Sequence, residues 1–341
     1  MRHAFGADFE VPPGYLDTAS IGVPSTAIGA AVTTAVDRWR HAARGPEDFD
    51  ADVERARAAF ARLIGVPGDR VAIGATVSQV LAPIAAGLPD RSRVLTMERE
   101  YTSVTFPFAA QQRRGVTVTE VPRGQLLDNV RDFDVVAISV VQSSDGWTVD
   151  LDALRHAVEG TGTTIVLDAS QAAGWMPLHL DWVDFVAVHG YKWLLSPRGA
   201  AWLAVHPRAT ERGLPVAAGW YAAAPPDDPA YGLPLRLRPD ARRYDLSPAW
   251  HSQAGAAVAL PYLADLDLEP VRAHNTGLAD RLLHGLGLEP RDQAIVALDV
   301  DPQRLARAGV VAPSRAGRTR LSFHLYNTEE DVDRVLDALD A

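Results

Sequence analysis

Apolar residues recur every three to four positions in several long segments of the chain, a spacing typical of helices that bury one face. This spacing predicts helices over residues 26–44 and 51–64 and, later in the chain, over residues 329–339. Short apolar runs bounded by turn residues lie between the helical segments and predict buried strands. These runs are residues 71–74, 93–97, 116–121, 134–141, 163–170, 184–190 and 200–205. The alternation of such strands with helices predicts an α/β fold with a mostly parallel sheet.

The pattern changes in the last third of the chain. Residues 222–250 are rich in proline and polar residues, and we expect an extended loop region there. Residues 287–341 mix strand and helix patterns, which is typical of a smaller α+β domain. We therefore predict a large α/β domain over residues 15–250 and a small domain formed by residues 1–14 and 251–341.

The overall charge and hydropathy argue against two classes of partner. The 341-residue chain has a formal net charge of −10, whereas nucleic acids and anionic membranes attract basic surfaces. No apolar run approaches the roughly 20 residues that a transmembrane helix needs. Residues 1–14 lack the apolar core of a secretory signal. We therefore expect no nucleic-acid or membrane partner and a cytoplasmic location.

The composition also limits the available chemistry. The chain has no cysteine, which excludes disulfides, thiolate metal ligands and a cysteine nucleophile. Its ten histidines show no H-E-x-x-H or similar spacing, so we predict no metal site. Neither G-x-G-x-x-G nor G-x-x-x-x-G-K-[ST] occurs, which argues against a nucleotide-binding protein. Nearly all of the positive charge is arginine, so Lys192 is conspicuous.

Two charged residues lie at the ends of predicted strands. Asp168 lies near the end of the run 163–170, and Lys192 follows the run 184–190. Ligands of an open parallel sheet bind at the carboxyl ends of the strands, so we expect both side chains at one site. This pair suits pyridoxal 5′-phosphate, because the amine can bind the aldehyde as a Schiff base and the carboxylate can pair with the pyridine nitrogen. An ordinary salt bridge is the alternative interpretation.

Two further segments could complete such a site. Residues 73–80 predict a strand, a small-residue turn and a helix start, which would offer backbone N–H groups and the Thr76 hydroxyl to a phosphate. A simple helix cap is the alternative role for Thr76. Tyr101 follows the run 93–97 and could cover the pyridine ring, or it could be an ordinary core or surface tyrosine.

Several segments of the chain form a recognisable series. In order they are GAT, VLDASQAAG, HGYKWLLSPRG and RLSFHLYNT. With these segments the chain resembles the class V aminotransferase family of fold-type I pyridoxal-phosphate enzymes, from residues 16–25 to the end. The resemblance implies the fold-type I transferase fold, in which a large domain with a mostly parallel seven-stranded sheet is joined to a smaller α+β domain. It also implies a homodimer.

The resemblance implies roles for the residues around the cofactor, pyridoxal 5′-phosphate. Lys192 would form the Schiff base, and Asp168 would bond the pyridine nitrogen. Gln171 would approach the phenolate oxygen of the ring, and Tyr101 would stack on the ring, where many members have histidine. The other implied cofactor residues are Ala75 and Thr76 at the phosphate, His189 and Tyr191 before the lysine, and Gln142 and Ser143 near the cofactor's oxygen. His189 could instead be a buried core histidine.

The resemblance also implies a substrate site. Arg320 matches the arginine that binds the α-carboxylate of the substrate in this family. The planar guanidinium group of such an arginine fixes an amino acid in one orientation. A surface salt bridge is the alternative role. Ser20 and Ile21 belong to the segment that, in the family, lines the pocket for the side chain of the substrate. Residues 242–252 fall where relatives lend phosphate contacts to the neighbouring subunit, and a purely structural loop is the alternative.

The missing cysteine narrows the reaction that the resemblance implies. Cysteine desulfurases pass sulfur through a persulfide on their own cysteine, which this chain cannot do. The implied function is therefore a pyridoxal-phosphate-dependent C–S lyase acting by β-elimination, or an aminotransferase, with an α-amino acid as its small-molecule substrate. An epimerase of the isopenicillin N epimerase type is an alternative reaction. A family member that has lost catalysis and serves as a binding protein is the alternative from another class.

Overall fold

A seven-stranded sheet forms the centre of the structure, a computed structural model that describes residues 1–224 and 231–340. The strands in chain order are β1 (Arg2–Ala4), β2 (Ala7–Phe9), β3 (Val71–Gly74), β4 (Arg93–Met97), β5 (Thr117–Val121), β6 (Val135–Ser139), β7 (Thr164–Asp168), β8 (Phe185–His189), β9 (Ala201–Val205), β10 (Ile295–Leu298), β11 (Ser314–Arg315) and β12 (Arg318–Ser322). The helices in chain order are α1 (Thr26–Arg40), α2 (Pro46–Leu63), α3 (Val77–Gly87), α4 (Thr102–Ala109), α5 (Leu126–Asn129), α6 (Leu151–Val158), α7 (Trp250–Ala264), α8 (Leu268–Gly285), α9 (Pro302–Arg307) and α10 (Glu329–Asp340).

The strands of the central sheet lie in the order β3-β9-β8-β7-β6-β4-β5. Strand β9 runs antiparallel to both of its neighbours, and the remaining strands share one direction. Strands β6, β7 and β8 are buried along their whole length, as expected when helices cover both faces of a parallel sheet. The predicted α/β fold with a mostly parallel sheet is confirmed.

Helices cover the two faces of this sheet because the side chains of each strand alternate in direction. On one face α2 packs against α7, and Phe60 of α2 stacks on Trp202 of β9 with ring centroids 5.4 Å apart. On the other face α3 packs against α4, and Leu81 and Phe108 of these helices share an apolar cluster with Val166 of β7. Within the described ranges, no helix combines the length and apolar character needed to cross a membrane.

A second, three-stranded sheet lies in the C-terminal part, in the order β10-β12-β11. It packs with α8, α9 and α10 around a separate apolar cluster that includes Leu282, Phe323 and Val335. The N-terminal hairpin β1-β2 is attached to this part, because Arg2 donates to the Asp331 carboxylate of α10 at 2.6 and 2.8 Å. Helix α7, just after the predicted domain boundary, packs against α1 and α2. The position of that boundary stays a prediction.

Two helices end or begin at residues that differ from the predicted ones. The helix predicted over 26–44 ends at Arg40, because Ala42 has a φ of 52°, which a right-handed helix cannot continue through. The helix predicted over 51–64 begins at Pro46. Proline suits the first turn of a helix, and the acidic residues that follow it favour a helix N-terminus. The predicted start at residue 51 was therefore wrong, because it left the proline and the acidic residues of the first turn out of the helix.

The predicted loop region 222–250 includes some short regular structure. The turns Trp220–Ala222 and Ala241–Tyr244 are single turns of 3₁₀ helix. Ala223 and Leu237 form an isolated antiparallel bridge between them. Residues 225–230 of the predicted loop lie outside the described residues.

A buried ion pair attaches the segment before α7 to the central sheet. Arg57 of α2 donates to the two carboxylate oxygens of Asp245 at 3.0 and 2.9 Å and to the backbone oxygen of Val71 at 2.5 Å. Asp245 also accepts from the backbone N–H of Ile73 at 2.8 Å. Both side chains of the pair are only 2% exposed. Because Val71 and Ile73 lie in β3, the pair fixes the strand that leads into the predicted phosphate-binding turn.

Asp245→Asn should lower the free energy of unfolding by about 3 kcal/mol, because it leaves the Arg57 guanidinium buried without its counter-charge. Chemical denaturation of the purified protein measures this change. Asp265→Asn is the matched control, since its pair with Arg62 is more than half exposed on both sides and should contribute no more than about 1 kcal/mol. Equal losses in the two variants would show that the buried pair has no special role.

Candidate active site

The two central residues of the predicted site meet at the carboxyl ends of adjacent parallel strands. Asp168 is the last residue of β7, and its register partner on β8 is Ala187. His189 ends β8, and Lys192 follows three residues later. Asp168 is 4% exposed and Lys192 is 5% exposed. Both side chains are therefore buried at the ends of neighbouring strands, and the charge of each acts on the pKa of the other.

A close backbone approach packs the N-terminal segment against the lysine. The backbone N–H of Gly22 donates to the carbonyl oxygen of Tyr191 at 2.9 Å. A Cβ atom on Gly22 would lie 2.0 Å from the carbonyl oxygen of Lys192, so the contact requires glycine. The hydroxyl of Tyr326 holds the same segment from the C-terminal part, through a 2.5 Å hydrogen bond with the hydroxyl of Thr18. Two segments far apart in sequence thus enclose the lysine.

Burial controls the protonation of this lysine, which is the only one in the sequence. Burial lowers the pKa of Lys192 to about 8, although the charge of Asp168 acts to raise it. Burial also raises the pKa of Asp168, against the hydrogen bond from Ser170 and the charge of Lys192. A substantial share of the amine is therefore uncharged at mildly alkaline pH. The uncharged amine is the form that attacks an aldehyde or accepts a proton.

Two tyrosine rings flank the amine. The Nζ atom of Lys192 lies 5.3 Å from the ring centroid of Tyr101 and 5.9 Å from that of Tyr191. The guanidinium carbon of Arg198 lies 5.0 Å from the ring centroid of Tyr191. Tyr101 is 43% exposed, so its ring forms part of the outer wall of the pocket. The predicted stacking of Tyr101 on the cofactor agrees with this position and stays a prediction.

The N-terminus of α3 carries the predicted phosphate-binding residues. Thr76 caps this helix by accepting from the backbone N–H of Gln79 at 3.2 Å, and half-buried Ala75 comes directly before the cap. The next N–H, that of Val77, donates to Nε2 of His189 at 3.4 Å. This contact brings His189 of β8 to the start of the helix. Helix N-termini attract anions through their free N–H groups and dipole.

His189 is a neutral ring with a spare donor. Burial lowers its pKa to about 3, so the ring stays uncharged near neutral pH. Because Nε2 accepts a hydrogen bond, the ring hydrogen lies on Nδ1. Among the residues that the structure describes, this buried Nδ1 has no hydrogen-bond partner. A spare N–H beside a helix N-terminus fits an anionic group such as a phosphate.

The side chain of Gln171 is held in one orientation. Nε1 of Trp193 donates to its amide oxygen at 2.6 Å. Its amide nitrogen therefore points the other way and donates to the backbone oxygen of Ala19 at 3.0 Å and to the Ser143 hydroxyl at 3.2 Å. Both amide hydrogens already have protein acceptors. The predicted contact of Gln171 with the phenolate oxygen would replace one of them and stays a prediction.

Arg320 and Ser20, two of the predicted substrate residues, lie together. Nη1 of Arg320 donates to the carbonyl and hydroxyl oxygens of Ser143 at 2.7 and 3.0 Å. Nη2 donates to the hydroxyl of Ser20 at 2.6 Å and lies 3.4 Å from a carboxylate oxygen of Asp17. The buried Nε of Arg320 has no partner within the described part of the chain. Ile21, the third predicted substrate residue, follows Ser20 and is 54% exposed.

Gln142 is positioned by an acid that the sequence analysis missed. Glu100 is 6% exposed and accepts hydrogen bonds from the Gln142 amide and the Ser139 N–H, each at 2.8 Å, and from the Tyr101 N–H at 2.7 Å. Burial raises the pKa of Glu100. Its place directly before Tyr101 was the available signal. The letters MEREY nevertheless have the composition of an exposed polar turn.

Comparison with known proteins identifies the family. A family model for aminotransferase class-V matches residues 32–307, and the chain belongs to this family. An uncharacterized aminotransferase of Bacillus subtilis, YcbU, is 28% identical in an alignment that covers 84% of this chain and 83% of the relative. Isopenicillin N epimerase of Streptomyces clavuligerus is 26% identical, with 88% of each chain covered. The resemblance inferred from the sequence motifs is confirmed.

Superposition on a solved structure supports the fold. The cystine C–S lyase C-DES, in complex with cysteine persulfide, superposes on this chain with a TM-score of 0.87 at 19% identity. The superposition covers 96% of this chain and 97% of C-DES. Similarity at this level of identity shows the fold, and the predicted fold-type I architecture is confirmed.

Membership of the class-V family confirms the predicted cofactor, pyridoxal 5′-phosphate. The residues of the pocket fit this group. A buried amine with a lowered pKa lies beside the buried carboxylate of Asp168. The spare N–H of His189 lies beside the N-terminus of α3. Lys192 would thus hold the aldehyde, Asp168 the ring nitrogen, and the region of Thr76 and His189 the phosphate.

Labelling of the cofactor-free protein with lysine carrying carbon-13 at Cε will report the pKa of Lys192, because one lysine gives one side-chain resonance. We expect a titration midpoint near pH 8, below the ordinary 10.5. The midpoint should fall further in Asp168→Asn, since the aspartate raises the lysine pKa. A midpoint near 10.5 in the unaltered protein, or a higher midpoint in the variant, would refute the argument from burial.

Proposed function

We propose that this protein converts an α-amino acid, either by a β-elimination that breaks a C–S bond or by a transamination. The observation that carries the proposal is the burial of the only lysine, close enough to the buried Asp168 and Arg320 for the charges of both to act on its pKa. Both reactions begin with removal of the proton from the substrate Cα. A buried amine with a pKa of about 8 is suited to accept and return that proton near neutral pH.

Lys192 and Asp168 have different roles toward the cofactor. Pyridoxal 5′-phosphate, when bound, supplies an aldehyde that links covalently to amines and a ring that withdraws electrons from the substrate Cα. Lys192 would hold the aldehyde, and its amine would accept and return the proton of the substrate Cα. Asp168 would pair with the protonated ring nitrogen. Its burial next to Lys192 keeps water from competing for this contact.

Arg320 orients the substrate. Its guanidinium is buried, and Ser20 and Ser143 hold it in place by hydrogen bonds of 2.6 to 3.0 Å. Its Nε hydrogen has no acceptor among the described residues, and a carboxylate is the acceptor that best fits a guanidinium edge. Arg320 therefore binds the α-carboxylate, which fixes the Cα–H bond relative to Lys192.

The reaction type is narrowed by composition and by the relatives. The chain has no cysteine, so it cannot pass sulfur through a persulfide on its own side chain. YcbU is described as an aminotransferase and C-DES as a C–S lyase, and neither elimination nor transamination needs a protein thiol. Epimerisation is the alternative, supported by the similarity to isopenicillin N epimerase. A non-catalytic binding role is disfavoured because Lys192, Asp168 and Arg320 are all present.

We also propose that the protein works as a homodimer in the cytoplasm. Exposed aromatic side chains lie next to residues 242–252, the segment predicted to reach a neighbouring subunit. Trp39 is 59% exposed and packs edge-on against His251, and Trp220 is 41% exposed and donates to the Ser247 hydroxyl. Exposed aromatic groups of this kind favour a protein contact.

Borohydride reduction of the cofactor-loaded protein tests the assignment of the lysine. We expect reduction to abolish the near-visible absorption band and to leave the mass of the cofactor on the peptide that contains Lys192. Lys192→Ala should show a different band and no label. The N-terminal amine is an internal control, because it is the only other primary amine in this chain. Label found there instead, or an unchanged band in Lys192→Ala, would refute the assignment.

Product analysis with a panel of L-amino acids tests the reaction. A lyase should release pyruvate and ammonia together with sulfide from cysteine, or with cysteine persulfide from cystine, whereas an aminotransferase should form a keto acid without either sulfur product. Formation of the D-amino acid with neither product would support the epimerase. Absence of every product from a protein that retains its absorption band would overturn the proposed function in favour of a binding role.

A further inference from the structure

A second arginine lies beside Arg320 at the substrate end of the pocket. Nη2 of Arg315 donates to the hydroxyl oxygen of Ser20 at 3.1 Å, and Nη2 of Arg320 donates to the same oxygen at 2.6 Å. A single oxygen atom therefore separates the two guanidinium groups. The charges of both arginines act on Lys192 and lower its pKa. Arg315 is thus within electrostatic reach of the reacting amine.

A tight hairpin holds Arg315 in this position. Strands β11 and β12 pair antiparallel, with Arg315 opposite Arg318. Ala316 and Gly317, which join them, have φ values of 50° and 82°. Two successive residues with positive φ form the type I′ turn, which matches the twist of the paired strands and fixes their register. Because Arg320 lies on β12, the spacing of the two arginines is set by paired strands rather than by a long loop.

The charged groups around Ser20 include two arginines, Arg315 and Arg320, and the carboxylate of Asp17, whose pKa burial raises and the charges of both arginines act to lower. Asp17 lies 3.4 Å from Arg320. Arg315 forms no ion pair with any residue in 1–224 or 231–340, and its side chain is exposed. Of the two guanidinium groups, Arg315 is therefore the one whose hydrogen-bond partners in this part of the chain are all neutral oxygen atoms, and its exposed face can accept an anion. The whole chain is acidic, with a net charge of −10, so overall charge does not explain this local excess of cations.

We propose that Arg315 binds a second acid group, carried by the side chain of the substrate. Preferred substrates are then α-amino acids whose side chain ends in a carboxylate or a comparable anion. The planar fork of a guanidinium matches a carboxylate with two parallel hydrogen bonds. The inference rests on the proposed function, because it takes Arg320 as the group that binds the α-carboxylate.

Two pairs of amino acids of nearly equal shape test this inference. L-Aspartate with L-asparagine and L-glutamate with L-glutamine differ in the charge of the side-chain end. Each is titrated into the cofactor-loaded protein, and the change in the absorption band gives its dissociation constant. In at least one pair, the acid should bind about tenfold more tightly than the amide, as expected for a charge-assisted pair. In Arg315→Gln this ratio should fall to about one.

Arg307→Gln is the matched control, because it removes the same charge from an exposed position on α9, outside the hairpin. It should keep the ratio of acid to amide affinity. If Arg315 only holds Ser20 in place, Arg315→Gln will weaken acid and amide equally and leave their ratio unchanged, which overturns the inference. Equal affinity for acid and amide in the unaltered protein overturns it as well.

The same titration separates this inference from the proposed function. A band that responds to the amino acids without preferring either acid overturns the role of Arg315 and leaves the proposed function intact. A band that responds to none of the panel of amino acids overturns the proposed function, and the role of Arg315 with it.

Discussion

The burial of one amine is the constraint on which the rest of the structure depends. A buried lysine loses its hydration, and only a nearby anion or the loss of its proton offsets that cost. Lys192 follows a fully buried strand, interacts with Asp168 across the strand ends, and is covered by the segment that contains Gly22. Burial lowers the pKa of Lys192, and the charge of Asp168 raises it. Because the net pKa is lowered, the loss of hydration is the larger of these two effects.

Hydrogen bonds join the C-terminal sheet to the central sheet through the residues of the site. Ser143, just after β6, accepts from Arg320 of β12 and from the amide of Gln171. The orientation of the two sheets is therefore coupled to the shape of the pocket. Arginine keeps its proton at any physiological pH, so the anchoring contacts stay charged while Lys192 changes its protonation. Arg320 thus holds the two sheets together at constant charge, whereas Lys192 can gain and lose a proton.

The sequence predicted the features that depend on local pattern. Apolar runs predicted all seven strands of the central sheet, and strand ends then placed Asp168 and Lys192 together. Motif resemblance supplied the cofactor and the family. Glu100 could not be predicted, because its partners Ser139 and Gln142 lie 39 and 42 positions away and its own neighbours are polar. The hydrogen bonds of the Gln171 side chain could not be predicted either, because two of its partners, Ala19 and Ser143, are distant in the sequence.

The bond between Thr18 and Tyr326 joins residues 308 positions apart in the chain. Tyr326 is synthesised after Thr18, Asp168 and Lys192, so a nascent chain that already contains these residues still lacks this anchor for the segment around Gly22. The complete enclosure of the pyridoxal 5′-phosphate site therefore forms only after the strands that carry Asp168 and Lys192 have been made.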